Sequence, residues 1–411
     1  MAAAGAGMPV ISTKTDMVPP AAAVLAILRD ALPTGTPLHA PIFEGREWEY
    51  VKDCIDTGWV STAGGYVDRF EHLIRDQVRS SDAIAAVNGT AALHVLLVAI
   101  GVEAGDEVIM PALTFVATAN AVAQAGATPH FAEIERATLG IDPARLDAHL
   151  TTMGEVRDGV LYNKNTGARL RAIVAVHVFG HPCDLGGLGA IARKFDLDLL
   201  EDAAESLGSI QGGTPTGAIG RAGILSFNGN KTITTGGGGA IVTNDTALGD
   251  RIRHLATTAK KPHAWDYEHD AVGFNYRMPN INAALGCAQI ELLEQFVTEK
   301  RGLADWYRDR LQSVGGATFV DETPGNRSNF WLNAVLLEDQ AQRDQLLEDA
   351  HAHNIGLRPA WKPMHRLSMY ADCPRSDLSV TEDICARLVN LPSGVGAARE
   401  IARQISGDAS S

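Results

Sequence analysis

The chain has 411 residues, 45% of them hydrophobic and 20% charged. That is enough apolar material for one large core and a smaller second one, and too apolar for a disordered chain. Acidic residues outnumber basic ones, 49 to 35, for a formal charge of −14, which disfavours nucleic acid as the main partner but leaves anionic small ligands open.

The opening MAAAGAGMPVISTK lacks the basic start and apolar core of a signal peptide. The first dozen residues and the final GDASS read as loose ends. No run of about 18 or more apolar residues reads as a membrane span. The cysteines Cys54, Cys183, Cys287, Cys373 and Cys385 are scattered, with no CxxC pair. Together these features predict a reduced, cytoplasmic protein without a disulfide framework.

Residues 20–80 carry helices and loops expected to belong with a small domain or its interface. DAIAAV (82–87) reads as a buried strand and GTAALHVLLVAIG (89–101) as a helix ending at Gly101. EVIM (107–110) reads as a strand, TFVATANAVAQAG (114–126) as a helix and TPHFAEI (128–134) as a strand. The polar stretch 154–170 reads as a surface hairpin. AIVAVHVFG (172–180) is strand-like, LGGLGAIARKF (185–195) helical and LDLLED (197–202) a strand. ILSFN (224–228) and GAIVTN (239–244) complete the set. This alternation of strand and helix predicts βαβ units and a mostly parallel sheet. Helices at 247–259, 281–296 and 297–314 follow, then a smaller α+β region from about residue 315.

Four stretches at the carboxyl ends of strands carry chemistry. SFNGNKTITTGGGGAIVTN (226–244) puts Lys231 just after a strand, near four glycines that permit close backbone approach; the plain alternative is an exposed lysine beside a flexible turn. LLEDAAESLGS (199–209) ends a strand at Asp202, where α/β sheets bind ligands. Asp202 and Glu205 also have the spacing of a capping box. AVNGTAALHVLL (86–97) begins a helix at Gly89 and Thr90, a place where N–H groups and the helix dipole attract phosphate; an ordinary capped helix is the alternative. PALTFVATANA (111–121) sets Phe115 early in a helix, to stack on a planar ring or simply to fill the core. Taken together, the phosphate cradle, aromatic, buried acid and lysine suit one ligand, pyridoxal 5′-phosphate. Its aldehyde needs an amine, its ring nitrogen a carboxylate, and its phosphate a helix start.

With these motifs the sequence resembles the DegT/DnrJ/EryC1/StrS sugar aminotransferases, from about PIFEGREWEYVKDCIDTGWVST (41–62) to LVNLPSG (388–394), through NGTAAL, PALTFVATANA, VHVFGHPCD, EDAAESLG, SFNGNKTITTGGGGA, GFNYRM and KPMHRL. The resemblance implies a fold type I pyridoxal-phosphate transferase, α/β, with a seven-stranded, mostly parallel sheet and a smaller α+β domain at the C-terminus. Expected boundaries are 1–35 for the tail and first helix, 36–280 for the large cofactor-binding domain, and 281–411 for the helical connection and small domain.

By resemblance, Lys231 matches the lysine bonded to the cofactor and Asp202 the acid on its ring nitrogen. Phe115 matches the stacking aromatic, and Gly89, Thr90 and Ser226 the phosphate site. Glu205 stands where many members have glutamine or histidine near the ring hydroxyl, and TTGGGG where many have TTGEGG. Asn275 in GFNYRM matches a residue that reaches the neighbouring subunit's cofactor phosphate, implying a homodimer with shared sites. Trp59, Ser61 and Thr62 match a loop folded over the sugar nucleotide, with Arg277 and His365 near the diphosphate or base. No metal is expected, because a strand followed by a turn splays His177, His181 and Cys183.

Within the family, the match to the legionaminic-acid pathway implies amino transfer from L-glutamate to C4 of UDP-2-acetamido-2,6-dideoxy-hex-4-ulose. The alternatives are a C3 aminotransferase or a dehydratase. Relatives of the dehydratase kind replace the lysine with histidine, so Lys231 opposes that reading. A regulator without turnover is disfavoured by the retained lysine and acid and by the lack of a basic patch.

Overall fold

The computed structural model describes residues 18–407. The expected loose N-terminal dozen and all of the final GDASS but Gly407 lie outside the described residues.

The large sheet is built from β1 (Asp82–Ala86), β2 (Glu107–Pro111), β3 (Thr128–Ala132), β4 (Leu170–Val176), β5 (Asp198–Asp202), β6 (Ala222–Ser226) and β7 (Gly239–Thr243). Their spatial order is β1-β7-β6-β5-β4-β2-β3. All neighbours pair in parallel except at β7, which runs antiparallel to both β1 and β6. The strands are nearly continuous apolar runs because both faces are covered. Alternate residues face opposite ways. Val108, Met110 and Val174 enter one core with Ile224 and Ile241, whereas Ile109, Ile173 and Ala175 enter another.

In chain order the helices up to residue 311 are α1 (Pro20–Ala31), α2 (Glu47–Thr57), α3 (Gly65–Val78), α4 (Gly89–Ala99), α5 (Val116–Gln124), α6 (Pro143–Met153), α7 (Leu185–Phe195), α8 (Thr246–Ala256), α9 (Asn280–Glu291) and α10 (Leu293–Leu311), and all but α1 contribute to covering the large sheet. Leu93, Leu96 and Leu97 of α4 and Ile252 of α8 pack on the first face. On the opposite face Leu146 and Leu150 of α6 and Leu188 and Ile191 of α7 cover one half. Phe70 and Ile74 of α3, with Ala283 and Ala284 of α9, cover the other. Tyr50 and Cys54 of α2 join that last group, so α2 and α3 pack on the large sheet, whereas the sequence alone leaves residues 20–80 between the small domain and its interface. Only α1 goes the other way.

The second sheet is antiparallel, with β8 (Ala317–Phe319), β9 (Asn333–Leu337), β10 (Arg358–Pro359) and β11 (Leu388–Leu391) in the order β8-β9-β11-β10. Val24 and Leu28 of α1 and Tyr307 of α10 bury against Val335, Leu337 and Val389. The expected hairpin is present as two short strands, Gly154–Arg157 and Val160–Asn163. The helical run expected over 281–296 and continued by 297–314 is interrupted at Leu292, between α9 and α10. Among the described residues no helix is long and apolar enough to cross a membrane.

Candidate active site

The carboxyl ends of β1, β5 and β6 and the starts of α4 and α5 converge on a cleft of about 300 Å³. Asn88 caps α4, its side chain accepting the Ala91 N–H at 2.8 Å. The N–H groups of Gly89 and Thr90 are in the first turn and have no acceptor within the helix, so they and the dipole face the cleft. Ser226, the last residue of β6, lines the same corner. The corner is tight: a Cβ on Gly239 would stand 2.6 Å from the Asn88 carbonyl carbon and 2.7 Å from Gly89 N. This is why β7 must begin with glycine here.

Asp202 ends β5 and is buried. Its Oδ2 accepts from Thr118 Oγ1 at 2.8 Å and its Oδ1 from the Ala204 N–H at 3.2 Å. Burial pushes its carboxyl above the ordinary value, and these donors, Lys231 and His177 pull it back. A cation placed opposite would be strongly favoured in so dry a site. The capping-box alternative fails, because residues 203–209 form turns and no helix follows Asp202.

Lys231 Nζ points to Glu205 Oε1 at 3.2 Å and lies 3.8 Å from the centre of the Trp331 ring. The second carboxylate oxygen of Glu205 accepts the Phe179 N–H at 2.9 Å. The expected strand 172–180 ends at Val176, and Val178–Gly180 turns to deliver that N–H, with Phe179 at φ 57°. Gly180 has φ 97°, and a Cβ there would sit 1.9 Å from Asn329 Oδ1. Gly180→Ala is therefore expected to cost about 2–4 kcal/mol of stability, measurable as a lowered urea midpoint with unchanged slope.

Phe115 lines the cleft as the residue before α5, not within the helix as expected, because its extended φ/ψ makes it the N-cap. It is 51% exposed and its ring lies 6.2 Å from that of Trp361. One face of a planar ligand could therefore rest on it. Thr118, Asn329, Trp331 and Trp361 were not anticipated. Thr118 follows Phe115 by three residues, one helical turn, which is the signal that could have exposed it.

The remaining candidates lie apart from this cleft. Trp59 and Ser61 are exposed and Thr62 half-buried, in the loop before α3; the carbonyls of Trp59 and Ser61 are held by Asn280. Trp59 borders a second cleft of about 550 Å³ with Asp53, Tyr66 and Arg69. Asn275 is exposed and does not line the cleft of its own chain. Arg277 pairs with Asp68 at 3.4 Å. His365 pairs with Glu382 at 2.6 Å, and its Nδ1 is buried without a hydrogen-bond partner. Its neighbour Met364 donates to Ala112 O beyond β2, close to the Phe115 side of the cleft. His177 is tied to Glu201 at 3.0 Å and to the Cys183 N–H at 3.2 Å, and His181 is buried against Phe330.

The donor set in the cleft fits pyridoxal 5′-phosphate: an amine, a buried carboxylate for a ring nitrogen, an open aromatic face and a helix start for phosphate.

Comparison with known proteins agrees. The DegT/DnrJ/EryC1/StrS aminotransferase family model matches residues 41–408. The chain is 38% identical over 360 residues to a GDP-perosamine synthase of Caulobacter vibrioides, covering 87% of this chain and 92% of that one. It is 36% identical over 357 residues to a GDP-perosamine synthase of Escherichia coli O157:H7, covering 87% and 93%. The solved structure of DesI in the presence of its TDP-sugar product superposes with a TM-score of 0.77 at 29% identity, covering 92% of this chain and 96% of that one. The fold, the cleft and the family match together establish that the chain belongs to the DegT/DnrJ/EryC1/StrS aminotransferase family and is a pyridoxal 5′-phosphate-dependent aminotransferase.

Proposed function

We propose that the enzyme moves an amino group from L-glutamate to C4 of a nucleotide-linked 4-keto-6-deoxy sugar, giving the 4-amino-4,6-dideoxy sugar nucleotide. The observation that carries this reading is the convergence of Lys231, Asp202 and the α4 start on one cleft in a chain 36–38% identical to enzymes named for a nucleotide-linked amino sugar. The cofactor, when bound, takes up and returns the amino group and spreads the negative charge of the deprotonated carbon. Lys231 holds it and then moves the proton at the donor's Cα, acting as general base and acid. Asp202 keeps a proton on the ring nitrogen. Gly89, Thr90 and Ser226 hold the phosphate, and Phe115 covers the ring.

The active unit is a homodimer in which the exposed Asn275 reaches the phosphate in the second subunit. Trp59, Ser61 and Thr62 fold over the sugar nucleotide, and Arg277 and His365 meet its diphosphate or base. The unsatisfied Nδ1 of His365 supports that last role. The names of the two relatives favour a GDP sugar over the UDP-N-acetyl sugar expected from the sequence.

The test is a panel of GDP-, UDP- and dTDP-linked 4-keto-6-deoxy and 3-keto-6-deoxy sugars with L-glutamate and the cofactor. The expected result is a 4-amino product, formed fastest from a GDP sugar, with ping-pong kinetics. Amination of 3-keto sugars alone would replace this reading with the C3 alternative.

A further inference from the structure

Glu205 is unusual in having its two oxygens committed to opposite tasks. Oε2 is pinned by the Phe179 N–H at 2.9 Å, while Oε1 faces only Lys231 Nζ, at 3.2 Å. Across the amine lies the Trp331 ring, at 3.8 Å from Nζ. That ring is fixed by its own Nε1–H, which donates to Asn230 O at 2.7 Å, and by the backbone carbonyl of Trp331, which accepts from the buried Lys300 at 3.1 Å. A single residue ties the two sides together. Asn329 Nδ2 donates to the carbonyls of Glu205 and Leu207, both at 2.9 Å, and its Oδ1 accepts the Trp331 N–H at 2.8 Å.

An anion on one side and an aromatic face on the other make a receptor for an ammonium group. The lysine in it is the residue that must leave the cofactor and come back. We propose that Glu205 and Trp331 form the dock that holds the Lys231 ammonium whenever the lysine is not bonded to the cofactor, with Asn329 as the positioning residue that sets the two walls. This rests on the aminotransferase reading above. It assigns the dock to the half of the cycle in which the cofactor carries the amino group.

Other charges face this pair. Asp202 raises the proton affinity of Glu205, adding to the larger effect of burial, and Lys231 opposes both. His39, whose ring nitrogens have no hydrogen-bond partner, is held neutral by burial and by Lys300 and Lys231. His177 acts on Asp202 from behind β5.

Two measurements test the dock. The first is an equilibrium. The cofactor-loaded enzyme is mixed with L-glutamate and 2-oxoglutarate at fixed ratios, and the fraction with the lysine bonded is read from its visible absorbance. Losing the dock weakens only the lysine-released state, so Glu205→Gln should shift the midpoint toward the bonded state by about tenfold and Trp331→Leu by about fivefold. Unchanged midpoints in both variants overturn the proposal.

The second uses the chain without cofactor. In Lys231→Ala the buried Glu205 has lost its cation and must hold a proton. Its folded-state proton affinity then lies further above the unfolded value, so the folded state binds more protons and stability falls as pH rises. The thermal midpoint of Lys231→Ala should drop progressively below wild type between about pH 5 and 8, and Lys231→Ala/Glu205→Gln should remove the slope. A constant offset from wild type at every pH overturns the proposal. If wild type gives no visible absorbance with the cofactor, the functional reading fails, and the second measurement still judges the pair.

Discussion

Replacing Lys231 with alanine is expected to abolish the visible absorbance of the cofactor-loaded protein and to lower turnover by at least about 10³-fold, because the same nitrogen serves as covalent anchor and proton carrier. The substitution removes a half-buried side chain that does not belong to any of the apolar cores. A cooperative unfolding transition should therefore survive at neutral pH, somewhat lowered by the unpaired Glu205. Added small amines are expected to restore part of the proton transfer without restoring the absorbance of a lysine-bonded cofactor. Retention of full turnover by Lys231→Ala would remove the lysine from the chemistry.

The second large effect is expected at Asp202. Asp202→Asn keeps the shape and still accepts the Thr118 hydroxyl at the position now 2.8 Å away, so folding should persist. A neutral amide cannot balance a protonated ring nitrogen in a site this dry. The charge that the ring would absorb is then left on the substrate carbon. An expected loss of about 10²–10³-fold in kcat/KM follows from removing one such fixed charge. The accompanying mark is spectroscopic: the pH at which the bound cofactor's absorbance changes should move in Asp202→Asn. An unaltered titration together with wild-type kcat/KM would place the ring nitrogen elsewhere.

What local sequence conveys and what it omits is visible in these same residues. Strands such as DAIAA and LLED stand out because a sheet covered on both faces demands unbroken apolar runs, and such runs are read without knowing their neighbours. Gly89, Asp202, Ser226 and Lys231 follow from those strands, since each lies at or just beyond a strand end. The Asp202–Glu205 spacing gave two readings because a capping box and a strand-end acid share the same pattern. Tertiary contacts decided between them: Glu205 turns away to Phe179 and Lys231, and Asn329 holds its carbonyl, so no helix starts. Trp331 and Trp361 reach the cleft, and Asn329 reaches the Glu205 backbone, from the small-domain half of the chain, and nothing in their local pattern records a partner a hundred residues or more away. For the same reason the sequence leaves the place of the early helices open between the small domain and its interface. Amphipathic faces on α2 and α3 show that they pack, but not that α9 and the large sheet are what they pack on.

The placement of β7 between β1 and β6 has a consequence for biogenesis. β1 is an edge strand whose sheet neighbour is β7, and the helix start that follows β1 is closed by Gly239, the first residue of β7. A ribosome-bound nascent chain that has not yet emerged past Thr243 therefore leaves β1 without its sheet partner and the anion cradle without a wall. Coenzyme capture thus depends on non-local pairing, and a chain terminated upstream of Gly239 is expected to expose an unpaired sheet edge and to aggregate rather than bind coenzyme.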